Sequence, residues 1–85
     1  MFYVSLLKSR KDGAFYLGST SDLRRRFAEH DHGMVWSTKS RIPLSLVYYE
    51  AYAAEQDART RESQLKKRAR AFAQLRERIS RCLAA

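Results

Sequence analysis

Cysteine, proline and glycine are scarce in this chain: one, one and three in 85 residues. A lone cysteine excludes an internal disulfide and any metal site built on clustered thiolates. Cys82 lies on a helical apolar stripe near the C-terminus, so its expected role is packing. No apolar run approaches the roughly 18 residues of a membrane span. No charged N-terminal region leads into a long apolar one, the pattern of a secretory signal. The expectation is therefore a protein of the reducing cytoplasm with no membrane partner. Acidic residues are short too. Nine Asp and Glu stand against 17 Lys and Arg, a net charge of +8. On so small a body that excess makes a positive field suited to phosphate, and nucleic acid is the expected partner. There is no internal repeat, low-complexity tract or linker. The length fits one domain over residues 1–85 with a single modest core. Hydrophobic residues make up 45% of the chain, too many for a disordered polymer.

What is present divides into short elements. "FYVSLL" (2–7) is aromatic, β-branched and aliphatic, and predicts a mostly buried strand. Asp12-Gly13 is a hairpin turn signal, because glycine tolerates the positive φ of a tight turn. "AFYLG" (14–18) predicts the return strand. A helix follows, with Thr20 or Ser21 able to cap its free N–H groups and Asp22 suited to its positive end. Leu23 and Phe27, four apart, share a face toward the core, and the helix should end near His30 because Gly33 follows. Residues 31–43 have no period, carry the only Trp and read as a loop ending at Pro43. "LSLVYYE" (44–50) predicts a third strand. From Ala54 onward the apolar spacing is helical, and without Gly or Pro after Pro43 it does not distinguish one bent helix from two. The order β-β-α-β-α-α predicts an α+β fold: a three-stranded antiparallel sheet flanked by helices.

Several side chains invite chemistry. Arg26 and His30, four apart, lie on one side of the first helix and border its apolar stripe. Glu62 falls within the apolar stripe of the later helix, between Ala58 and Leu65. A carboxylate entering low dielectric needs a partner. Lys66, Arg59 or Arg61 would supply an ion pair; a divalent metal is the alternative. The strands carry Tyr3, Tyr16, Tyr48 and Tyr49, of which at least two are expected in the core. No phosphate-binding glycine loop, zinc-spaced Cys/His set or Ser/His/Asp arrangement is present.

The segment "YLG" (16–18) followed by "STSDLRRRFAEH" (19–30) resembles the second half of the GIY-YIG nuclease signature. Asp22, Leu23, Arg26 and His30 stand at the matching places. "STKSRIPLSLVYYEAY" (37–52) and "ARTRESQLK" (58–66) resemble the continuation, with Glu62 at the position of that family's metal-binding glutamate. The likeness covers roughly residues 2 to 75 and follows small stand-alone members, which are similar to the N-terminal nuclease domain of the bacterial excision-repair endonuclease. It implies the fold just read from the pattern.

The resemblance also implies roles. Arg26 would steady the scissile phosphate, and Glu62 would hold one Mg²⁺ or Mn²⁺. Tyr16 and the first-strand tyrosine, Tyr3, would orient or deprotonate the attacking water, with His30 assisting proton transfer or phosphate contact. Arg24, Arg25, Lys39, Arg41, Lys66, Lys67, Arg68 and Arg70 flank such a site and would hold the nucleic acid, DNA foremost. One position departs from the family. Alignment through "LLKSRKDG" sets Ser5 where the first-motif tyrosine usually stands and Tyr3 two residues earlier, on the same strand face. Two readings stay open: a metal-dependent DNA endonuclease, or a nucleic-acid-binding domain that has kept the fold and lost the rate. The small size leaves room for a protein partner, a homodimer or a place in a larger assembly.

Overall fold

The computed structural model describes residues 1–84. Three strands come in the predicted places: β1 (Phe2–Ser9), β2 (Phe15–Thr20) and β3 (Leu44–Tyr52). Each runs two residues past its expected end. Helix α1 (Leu23–Asp31) separates β2 from β3, and α2 (Glu55–Lys67), α3 (Ala69–Arg78) and α4 (Ser80–Ala84) follow. A single 3-10 turn, Lys39–Arg41, precedes β3. The strand order is β2-β1-β3, antiparallel throughout, so β2 is an edge and β1 the centre. At the hairpin tip Gly13 takes φ +76°, the Asp12 carboxylate accepts the Ala14 N–H at 2.9 Å, and the turn closes as its residues predict.

Alternation along β1 sets the two faces of the sheet. Val4 and Leu6 point to one side and pack with Ala58, Leu65, Leu75 and Ile79 into the buried core. Ser5 and Leu7 point to the other, where α1 lies. The Leu23 and Phe27 stripe does face inward, but it is half-buried against Tyr3, Leu46 and Tyr49 and leaves a separate apolar gap of about 460 Å³.

The helical half is broken at Arg68, whose backbone is extended (φ −115°, ψ 99°). Leu65 and Leu75 both enter the core. On one continuous helix, ten residues at 3.6 per turn would leave them roughly 80° out of phase, so the break re-aims the second segment. Cys82 corrects an expectation. It is exposed, because the short α4 turns Leu83 toward the core instead. The cap of α1 is also corrected: Asp22, with extended backbone, accepts the Arg25 N–H at 3.1 Å, while the Thr20 hydroxyl accepts the Asp22 N–H at 3.0 Å.

A polar network pins α2 to β3. Arg61 forks onto both oxygens of Glu50 at 3.0 to 3.2 Å, and the Tyr48 and Tyr52 hydroxyls donate to the same carboxylate. Burial, then the neighbouring Glu50, pushes both phenols up to about 12. Those tyrosines are structural donors and poor bases. Among the described residues, no helix is long and apolar enough to cross a membrane.

Candidate active site

A cavity of about 250 Å³ opens at the free edge of β2, where side chains from both faces of the sheet reach it. Its floor is made by β1 and β2. Ser5 pairs across from Gly18, and Leu7 across from Tyr16. Gly18 has no neighbour within 4 Å of where a Cβ would stand, so its missing side chain keeps the floor open.

One wall comes from α1. Arg26 and His30 sit one turn apart and both line the cavity. Glu29 accepts from Arg26 at 3.4 Å and lies 3.5 Å from Arg25, which anchors the basic run without neutralising all of it. His30 Nδ1 lies 2.8 Å from the hydroxyl of Thr38, which is only 1% exposed. Burial, and then the charge of Arg26, hold the imidazole below its ordinary value of 6.5, against the opposing pull of Glu29. His30 is thus biased toward the neutral form, which can accept a proton.

The opposite wall comes from α2. Ala58 and Leu65 are buried, and their stripe carries Glu62 to the cavity rim. The Ser19 hydroxyl donates to Oε1 at 2.6 Å and Lys66 Nζ donates to Oε2 at 2.7 Å. Burial alone would raise the carboxyl. The bonds from Lys66 and Ser19 outweigh it, and the group sits below the usual carboxylate range. Of the three cations the sequence offered as partners, Lys66 takes the part. Arg61 turns to Glu50, and Arg59 to Glu55 at 3.3 Å.

The donor set suits a hard divalent ion. Glu62 is the one carboxylate lining the cavity, and an ionised carboxylate offers about four acceptor sites, of which Ser19 and Lys66 use two. The Lys66 side chain is half-exposed. A small cation held by one carboxylate takes the rest of its shell from water and a substrate phosphate. Among the described residues there is no group of three or more His, Cys, Asp and Glu, so an all-protein cage is not offered.

Comparison with known proteins gives the geometry a family. The GIY-YIG catalytic domain matches residues 1–77. The chain belongs to that family. Its relatives include the UPF0213 protein of Streptococcus pneumoniae serotype 4 (strain ATCC BAA-334 / TIGR4), 38% identical over 80% of this chain and 69% of that protein. A second is the UPF0213 protein SpyM50708 of Streptococcus pyogenes serotype M5 (strain Manfredo), 40% identical over 67% of this chain and 63% of its own length. No solved structure gives a significant match. The three-stranded antiparallel sheet with its helices is consistent with the GIY-YIG fold, and the family supports a nuclease-like function.

Within this GIY-YIG domain, Tyr16, Arg26, His30, Glu62 and Lys66 meet around one cavity. Tyr3 does not join them. Its ring packs edge-on against Tyr49, centroids 5.9 Å apart, and lines the apolar gap beside Leu23 and Phe27 with Arg24 at its rim. Ser5 lines the cavity of Arg26, His30 and Glu62 instead. Arg25 shares a neighbouring trough with Arg26, Lys39 stands over Trp36, and Arg41 is ion-paired with Asp12. Lys67, Arg68 and Arg70 are exposed around the α2–α3 break. Ser19, Ser37 and Thr38 also line the cavity and are not among the residues the sequence singles out. Small hydroxyls in turns and strand ends carry no sequence pattern, and only their partners reveal them.

Proposed function

We propose that this domain is a metal-dependent endonuclease that hydrolyses phosphodiester bonds of DNA. The observation that carries the reading is the convergence of Arg26 and His30 from α1 with Glu62 from α2 on one open cavity floored by Gly18. The charge of +8 favours a polyanionic substrate.

Arg26 offers a planar fork of donors to the non-bridging phosphate oxygens, and its hold strengthens as negative charge grows there. Tyr16, on the cavity floor, orients the attacking water by its hydroxyl. His30 takes the proton from that water. In the tautomer whose Nδ1–H donates to Thr38 Oγ1, the Nε2 lone pair is the ring's acceptor. Tyr3 has no part in this reading, because it belongs to the other cavity. Glu62 would hold one Mg²⁺ or Mn²⁺, which would supply Lewis-acid polarisation of a phosphoryl oxygen and neutralise developing charge. Ser19 fixes the rotamer in which Glu62 faces the cavity.

Supercoiled plasmid incubated with the protein and Mg²⁺ should convert to nicked circles, and a chelator should stop the conversion. Retention of plasmid without nicking, at any Mg²⁺ concentration, would favour the second reading: a binding domain slowed by Ser5 in place of a phenol.

A further inference from the structure

Trp36 is the most exposed large apolar side chain, at 79%. Its loop is not loose. Met34 N–H donates to Glu29 O at 2.9 Å, Thr38 N–H to Val35 O at 3.1 Å, and Arg41 N–H to Thr38 O at 2.9 Å. The Ser9 hydroxyl donates to Arg41 O at 2.6 Å, tying the loop to the β1–β2 hairpin. Buried Thr38 ties it to His30. An indole held out from a pinned backbone is presented to something.

Four observations say what. Lys39 Nζ stands 4.9 Å from the ring centroid, a cation–π contact that occupies one face. At 79% exposure the other face is open. Ser37 and Thr38, the next two residues along, line the candidate cavity, and consecutive Cα atoms are about 3.8 Å apart, so the Trp36 backbone adjoins the site although its ring is not part of the lining. The segment from Gly33 to Tyr49 contains no carboxylate and carries Lys39 and Arg41. An open aromatic face beside cations is the arrangement that stacks a nucleobase while the backbone phosphates are neutralised. Within a duplex both faces of each base are covered by its neighbours, and only the two end pairs expose one. An unpaired base can take the indole anywhere along a strand.

We infer that Trp36 is a stacking platform for an unpaired nucleobase next to the scissile phosphate, and that the domain's ligand is nucleic acid with a single-stranded segment. The inference rests on the nuclease reading and names its substrate class.

Trp36 is the only tryptophan, so its fluorescence reports the contact directly. The full chain, in chelator to prevent cleavage, is titrated with a single-stranded oligothymidylate and with a blunt duplex of equal length at one salt concentration. The oligothymidylate should quench the fluorescence saturably and the duplex should not. Trp36→Ala should weaken oligothymidylate binding, read by anisotropy of a labelled oligomer, by about 5- to 150-fold, and Trp36→Phe should recover most of it. Duplex binding should change less than about twofold in both variants. Equal loss on both ligands, or no loss on either, overturns the stacking role and leaves the nuclease reading standing. So does a wild-type dimer that dissociates in Trp36→Ala, since Trp36 would then be covered by a second copy. Failure of the wild type to bind either ligand overturns both.

Discussion

In the proposed hydrolysis, Ser5 and His30 divide the question of where the proton of the attacking water goes. Ser5 stands on the cavity floor, and its hydroxyl cannot span the distance a phenol would. Tyr3 faces the same side of β1 but is engaged with Tyr49 outside the cavity. Tyr3→Phe should therefore change the nicking rate less than about twofold, whereas Ser5→Tyr should raise it about tenfold or more by adding a second hydroxyl at the water. Loss of most activity in Tyr3→Phe would show that Tyr3 reaches the site after all. For His30 the sign runs one way. Its folded pKa lies below 6.5, by burial first and Arg26 second, so the folded state binds fewer protons than the unfolded chain near that pH. The associated stability is fully present above 6.5 and is lost as pH falls through the folded value. Activity needing the neutral ring should follow the same direction. An NMR titration of the His30 ring should give a midpoint below 6.5, moving upward in Arg26→Gln. A midpoint at or above 6.5 in the natural chain would remove His30 as the base.

Elements bring these residues together by crossing an edge. Because β2 is the outer strand, α1 on one face and α2 on the other can both reach past it, and Gly18 leaves the passage open. Gly18→Val should keep the strand, since nothing stands within 4 Å of its Cβ position. Stability should hold or rise by up to about 1 kcal/mol, as a glycine inside a strand is replaced. Cleavage should fall by an order of magnitude or more, because the new branch enters the cavity. Chemical denaturation and the nicking assay separate the two effects, and parallel loss of both would mean that Gly18 is needed for the fold alone. The strands, α1 and the placement of Glu62 were legible because each is a local pattern: short aromatic and β-branched runs, a turn pair, i to i+4 spacing. The edge position of β2 was not, since strand order is a property of pairing across the chain. Neither was the break at Arg68, which no Gly or Pro marks, nor the bonds of Thr38 to His30 and Ser19 to Glu62. Those contacts join segments 8 and 43 residues apart, and only the folded chain brings them within reach.

The whole molecule carries +8 on a body about 29 by 26 by 21 Å, so its field acts before any side chain does. If roughly five of the exposed cations meet phosphates on duplex DNA, the log–log slope of affinity against salt should be about −4 to −5. A slope near zero would make the charge a solubility feature only. Core and site are also separable at this scale, because Glu62 lies at the cavity rim while Ala58 and Leu65 on the same helix make the core. That separation permits a clean test of the claim that the cavity is a metal-dependent nuclease site: plasmid nicking across a Mg²⁺ titration by the natural chain and by Glu62→Gln. The natural chain should nick in a Mg²⁺-dependent way, and Glu62→Gln should unfold at nearly the same denaturant concentration but cleave at least a hundredfold more slowly at every Mg²⁺ concentration. Unchanged Mg²⁺-dependent cleavage in Glu62→Gln would contradict that claim and reduce Glu62 to the ion-pair partner of Lys66.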